Sequence, residues 1–177
     1  MGHTILLTGR PGVGKTTVIR KIAEALGAAA GGFYTAEIRE HGQRKGFKIV
    51  TLAGNEGILA HVDIKGAPRI SKYGVNLRDL EEIGVASLRR AVHQARYVVI
   101  DEIGKMELFS DEFRQAVMDA VRSDRCVVGT VMRGRNRWVE ELTALPQVCV
   151  LELTEANRDQ MAQRVLDLFR DNSGIPD

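Results

Sequence analysis

At 177 residues, 44% apolar and 27% charged, the chain has the length of one well-buried core and the composition of a globular protein, not of a disordered or membrane-spanning one. A formal net charge of +2 is too small to imply a nucleic-acid or membrane partner, and no stretch approaches the ~20 apolar residues that span a bilayer. Two cysteines, Cys126 and Cys149, both inside apolar runs, argue against a disulfide framework or a metal cluster and read as small buried hydrophobes.

In chain order, Thr4–Thr8 reads as a buried strand that leaves no room for a signal peptide before it. It runs into Gly9-Arg10-Pro11-Gly12-Val13-Gly14-Lys15-Thr16, which satisfies G-x-x-x-x-G-K-[ST], and Thr17–Leu26 follows with apolar residues at helical spacing. Strand, loop and helix in this order make a phosphate cradle. Backbone N–H groups and the helix N-terminus hold a polyphosphate, Lys15 reaches the β/γ-phosphates, and the Thr16 hydroxyl binds Mg²⁺. Gly27–Gly32 is a small-residue connection. Phe33–Arg39 and Phe47–Leu52, joined by the polar turn Glu40–Gly46, form a β-hairpin at the sheet margin.

The signal weakens from Ala53 to Asn76, where a short strand at Ile58–Val62 and a turn at Lys72–Asn76 are expected. Asn76 caps a helix with Asp79 at the capping-box position, and Gly84 kinks or divides that helix before the period resumes at Val85–Val92. His41, His61 and His93 read as structural or solvated residues. Tyr97–Ile100 is wholly apolar, as a strand in the middle of a parallel sheet is, and ends in Asp101-Glu102. A helix at Phe113–Val121, a buried strand at Cys126–Val131, an arginine-rich turn at Arg133–Arg137, a short helix at Trp138–Leu142, a strand at Val148–Leu153 and a closing helix at Arg158–Phe169 complete the chain. Alternating strands and helices imply right-handed βαβ units and a mainly parallel sheet.

In such sheets the ligand lies beyond the carboxyl ends of the strands. Asp101 stands there as a group for the Mg²⁺ coordination shell, and Glu102 as the base that polarises the attacking water. Glu107 is a rival base. Arg133 is placed to offset charge on the γ-phosphate, with Arg137 a weaker candidate, and Asn157 and Arg158 are candidates for contacting the base, although Asn157 reads equally as a helix cap.

Together, the loop Gly9–Thr17, Gly32–Thr35, Lys72–Asn76, Asp101-Glu102-Ile103-Gly104-Lys105-Met106-Glu107 and Glu155–Asp159 resemble the small P-loop nucleoside-triphosphatase family of archaea, thermophilic bacteria and animals. The resemblance covers nearly the whole chain. It implies a three-layer α/β, RecA-like fold and slow Mg²⁺-dependent hydrolysis of ATP, GTP and other nucleoside triphosphates to diphosphate and phosphate. Met132 stands where the family carries His before the Arg, so no histidine role is transferred to that position.

The resulting expectation is a single domain over residues 1–177, a cytoplasmic monomer acting on nucleoside triphosphates without membrane or nucleic acid. A small-molecule or nucleotide kinase shares the same loop and needs an acceptor pocket. A nucleotide-dependent switch serving a binding partner is a third reading, weakened by the lack of an effector domain. Because every strong motif addresses phosphate and metal, and only Asn157 and Arg158 address a base, ATP, GTP, CTP and UTP should be hydrolysed at rates within about one order of magnitude of one another. Steady-state phosphate release measures this, and a thousandfold preference for one base would contradict it.

Overall fold

The computed structural model describes residues 2–66 and 68–172. The β1 strand (Thr4–Thr8) is inserted between β8 (Cys126–Val131) and β9 (Val148–Glu152), parallel to both, and β8 in turn pairs parallel with β7 (Tyr97–Ile103). β2 (Ala30–Glu40) lies parallel to β7 on one side and antiparallel to β3 (Gln43–Thr51) on the other. β4 (Glu56–His61), β6 (Tyr73–Val75) and β5 (Arg69–Ile70) continue the antiparallel part, giving one sheet of order β5-β6-β4-β3-β2-β7-β8-β1-β9. The expected hairpin is present, but it does not form the margin of the sheet, because β4, β6 and β5 pair on beyond it.

The apolar runs divide between two faces because successive strand residues point to opposite sides. Ile5, Leu7, Val99 and Val128 pack with Val18, Ile19 and Ile22 of α1 (Lys15–Leu26) and with Met161, Val165 and Phe169 of α6 (Arg158–Asn172). Leu6, Val98, Ile100 and Val127 pack on the other side. There they meet Leu88 and Ala91 of α3 (Ala86–Gln94), Phe113 and Val117 of α4 (Asp111–Arg122), and Leu142 of α5 (Arg137–Thr143). Three layers result, and runs such as Tyr97–Ile100 are apolar throughout because both faces are covered.

Several local expectations change. The Gly27–Gly32 connection shrinks to a 3₁₀ turn at Gly27–Ala29, since Ala30, Gly31 and Gly32 already belong to β2. Gly32 has φ +111° and a Cβ there would lie 2.1 Å from the Val99 carbonyl oxygen, so the close approach of β2 to β7 admits only glycine. The hairpin turn is His41-Gly42 alone, both at positive φ, as a two-residue connection requires. Lys72–Asn76 is a strand over Tyr73–Val75, too short to show a period. Asn76 caps α2 (Leu77–Asp79) by accepting from Asp79 N, but the Asp79 carboxylate accepts from Ile58 N, because Asn76 N already donates to Leu59 O. Gly84 falls in a π-helical segment, Leu80–Val85, which joins α2 to α3. The strand expected at Tyr97–Ile100 runs on through Asp101 and Glu102 to Ile103. Cys149 is exposed, not buried, because β9 is the edge of the sheet.

Gly32→Ala should destabilise the fold by ~3 kcal/mol, combining left-handed strain with a backbone collision. Gly42→Ala, at φ +77° with open space around the added carbon, should cost only about 1 kcal/mol. Urea midpoints of the two variants test the ordering, and equal costs would refute the close-approach argument.

Candidate active site

The loop between β1 and α1 is shaped by two glycines at positive φ, Gly12 (+78°) and Gly14 (+108°), and by Val13 N donating to Arg10 O. Gly14 is the N-cap of α1, so the first N–H groups of that helix face the loop mouth. Lys15 Nζ spans the loop, donating to Gly9 O at 3.0 Å and Arg10 O at 3.1 Å. Thr16, one residue into the helix, donates its hydroxyl to Asp101 Oδ2 at 2.9 Å. This bond joins the loop to β7 across the intervening β8.

Asp101 has no exposed surface. Its Oδ1 accepts from Thr130 Oγ1 on β8 at 2.7 Å, and its Oδ2 also accepts from Thr35 N on β2 at 3.4 Å. Burial pushes its pKa up. The bonds from Thr130, Thr16 and Thr35, with the Lys15 charge, oppose that shift. Glu102 is half-buried and raised first by burial, then by the neighbouring Asp101 charge, against the pull of Lys15. Glu107 lies almost fully buried just ahead of α4, and its pKa is held well above the usual carboxylate range by burial and by the Glu102 charge. Gly104 brings the two acids together: a side-chain carbon there would sit 2.6 Å from Glu102 Oε1 and 3.0 Å from Glu107 Oε2.

These groups open into one cleft of about 640 Å³. Gly9, Pro11, Gly12, Gly14, Lys15, Thr16 and Thr17 line its phosphate-loop side, and Glu102 and Glu107 its middle. Arg133 lines it too, and its Nη2 donates to Glu152 Oε1 at 3.1 Å, at the end of β9. Arg137 does not line the cleft; it pairs along α5 with Glu141. Of the loop's remaining residues, Val13 is buried in the core beneath and Arg10 is exposed outside the lining.

Asn157 and Arg158 also stand outside the lining. Asn157 closes its own turn, accepting from Thr154 N at 2.8 Å and donating to Glu152 O at 2.9 Å. Arg158 reaches back to the loop, donating to Val13 O at 3.4 Å. Both side chains therefore support the loop's surroundings. Sequence reasoning missed Thr35 and Thr130, whose only signal is a hydroxyl on a strand beside the one carrying Asp101. It also missed the apolar wall formed by Phe47, Leu59 and Ile70, because the two-residue strand of Ile70 shows no pattern and the pairing that carries the strands of Phe47 and Leu59 to the cleft is not encoded locally.

A divalent cation suits this oxygen-rich corner. Thr16 and Asp101 present hard donors beside a phosphate cradle, and Mg²⁺ is commonly held by one or two protein oxygens together with substrate phosphates and water. Among the described residues, no cluster of three or more acids, histidines or cysteines forms a cage that would hold a metal without the substrate.

The model of the NTPase family matches residues 4–166. The chain is 49% identical to the nucleoside-triphosphatase THEP1 of Thermotoga sp. (strain RQ2) over 170 residues, covering 96% of this chain and 97% of that protein. Among solved structures, it superposes on THEP1 from the hyperthermophile Aquifex aeolicus with a TM-score of 0.87 at 39% identity, over 94% of this chain and 98% of that one. A human cancer-related nucleoside triphosphatase gives 0.82 at 36% identity, over 97% and 99%. With a parallel core, a loop of the expected geometry and relatives matched over nearly their full length, the chain belongs to the NTPase family.

Proposed function

We propose that the protein is a Mg²⁺-dependent phosphohydrolase that converts nucleoside triphosphates, ATP and GTP among them, to diphosphate and phosphate. The observation that carries the reading is the Thr16–Asp101 hydrogen bond, which places the start of the phosphate-loop helix against β7, with Glu102 next in the chain and open to the same cleft. Relatives named as nucleoside-triphosphatases over nearly their whole length support it.

In this reading Lys15 exchanges the Gly9 and Arg10 carbonyls for β/γ-phosphate oxygens, and the loop N–H groups bind the remaining phosphate charge. Thr16 and Asp101 hold the cation, which supplies charge neutralisation to the phosphates when bound. Glu102 orients the attacking water and takes its proton. Arg133, steadied by Glu152, faces the γ-phosphate side of the cleft and offsets charge that develops there. Glu107 is the poorer base. Burial and the Glu102 charge hold its pKa well above the usual carboxylate range, which favours its neutral form, and it accepts hydrogen bonds from the Gly104 and Glu107 backbone.

An exposed free thiol at Cys149 fits a reducing compartment, and no helix among the described residues is long and apolar enough to cross a membrane; both support the cytoplasm as the site of action. One continuous sheet of nine strands among the described residues supports a single domain. The small net charge supports action without nucleic acid.

Single-turnover hydrolysis measured alongside nucleotide affinity tests the roles. Glu102→Gln should bind nucleotide normally and lose ~10²–10⁴ in rate, while Asp101→Asn should weaken Mg²⁺-nucleotide binding as well. Near-parental turnover in Glu102→Gln, with Glu107→Gln inactive, would move the base to Glu107.

The pH dependence of stability gives a separate check on Glu107. Below the ordinary glutamate range the folded and unfolded chains are both protonated here. Above that range the unfolded chain ionises while folded Glu107 keeps its proton, so stability falls as pH rises until the folded group ionises too. Each unit by which the folded pKa exceeds the unfolded one removes about 1.4 kcal/mol. Glu107→Gln should therefore be more stable than the parent at pH 8, with the difference vanishing near pH 4. Urea melts at the two pH values measure it, and a variant less stable than the parent at pH 8 would show that Glu107 is held ionised.

A further inference from the structure

Past the phosphate loop the cleft continues toward the antiparallel strands. Beyond Glu102 it is walled by Phe47 on β3, Leu59 on β4 and Ile70 on β5, with Met106 and Met132 facing in from the ends of β7 and β8. Strands lie roughly 4.8 Å apart, so the wall begins two strands, about 10 Å, from the strand that carries Asp101. A cleft of about 640 Å³ falls in the range of sites that enclose a small organic molecule.

The direction of this apolar half matters. The loop holds the β- and γ-phosphates on the β1 side, and the incoming oxygen attacks phosphorus in line, from the side opposite the β-phosphate. In the reading above, where Glu102 takes the proton of the attacking oxygen, that side is the one Glu102 lines, and Phe47 and Leu59, two and three strands beyond β7, line the same cleft. Attack by water alone needs no apolar wall, which leaves apolar side chains open to solvent at some cost.

We propose that this half is an acceptor site and that the protein also transfers the γ-phosphoryl group to a small neutral alcohol with an apolar carbon skeleton. The inference rests on the hydrolase reading, because it uses the same phosphate loop and the same Glu102. The alcohol oxygen forms a bond to the γ-phosphorus, the bond from that phosphorus to the β-bridging oxygen breaks with its electron pair leaving on the diphosphate, and the hydroxyl proton passes to the Glu102 carboxylate. The products are an alkyl phosphate and a nucleoside diphosphate.

Neutrality of the acceptor follows from the charges beside Phe47, since the other cations of the lining beyond the loop, Lys105 and Arg133, come from the turns after β7 and β8. Glu37 lies at its rim but is already matched by Arg39 at 2.7 Å and by Arg44 at 3.0 Å, and those bonds hold its carboxyl below the usual range. Arg44 in turn lies over the rings of Phe47 and Tyr73, at 5.2 and 5.9 Å from their centroids, which fixes the aromatic wall in place. A charged acceptor would have to break that balanced set, whereas an apolar one leaves it intact.

The test uses the full chain with Mg²⁺, ATP and benzyl alcohol as the probe, with glycerol as a polar comparison, and follows products by ³¹P NMR. Benzyl phosphate should form at least a hundredfold above the share set by the molar ratio of alcohol to water, and glycerol should give no such enrichment. Ile70→Asp, a change on the half-buried two-residue edge strand, should lower the ratio of benzyl phosphate to inorganic phosphate by about tenfold. Inorganic phosphate as the sole product would overturn the proposal, as would benzyl alcohol merely competing with ATP, which would make the apolar half the seat of the nucleoside base. Benzyl phosphate formed by a protein that releases no phosphate without alcohol would support transfer while removing the hydrolase reading.

Discussion

A carboxylate without any contact with solvent has to be compensated where it lies, and Asp101 imposes that condition on the middle of the sheet. Its two oxygens are met by Thr130 from β8, Thr16 from the first turn of α1 and the Thr35 N–H from β2. Those partners come from three elements far apart in sequence, so satisfying one side chain fixes the relative depth of the loop helix and of three adjacent strands. The cost of leaving any of these bonds unmade is the desolvation of a buried charge, not the modest net value of an ordinary hydrogen bond. For that reason the phosphate loop, which is mostly glycine and exposed turn, sits at a defined distance from the acids that follow β7.

The parallel core was legible because its signals are local and redundant. Thr4–Thr8, Tyr97–Ile100 and Cys126–Val131 are continuous apolar runs, and the structure shows them covered on both faces. The phosphate loop was legible for a different reason: backbone geometry demands glycine at Gly14, and the sequence pattern records that demand directly. Thr35 and Thr130 carry no comparable mark, since a threonine in a strand is ordinary until the partner across the sheet is known. The antiparallel extension was hard to read because β5 and β6 are two and three residues long and depend on pairing with β4, which no local pattern encodes. Cys149 was misread for a related reason. An apolar run identifies a strand, but its place at the sheet's edge is a property of the order of all nine strands.

β2 joins the two parts of the sheet, and its glycines show how. Gly31 and Gly32 occur where β2 first meets β7 and α3; a Cβ on Gly31 would lie 2.8 Å from that of Ala91, and one on Gly32 would strike the Val99 carbonyl. The same strand continues as Phe33, which packs edge-on against Phe113 of α4, and then as Thr35, which bonds Asp101. Past that point it leaves the parallel core and pairs only with β3. Close packing at one end of the strand thus sets the height of Thr35 at the site. The far end projects beyond the core and carries the hairpin that bears Phe47 into the cleft.

Electrostatics then decides which of the neighbouring acids can do chemistry. Asp101, Glu102 and Glu107 crowd one end of β7 and the turn after it, and each charge makes ionisation of the next less favourable. Burial separates them. Glu107, enclosed and beside Glu102, has its pKa held well above the usual range; Asp101 is pushed up by burial too but has hydroxyl and N–H donors that favour its charged form; and Glu102, half-buried, is raised by burial and Asp101 and drawn back by Lys15. A base must be ionised in the resting site and still accept a proton as the reaction proceeds, which requires an intermediate environment of this kind. Two acids five residues apart in the chain thereby meet unequal access to water, with Gly104 letting their side chains come together at the turn.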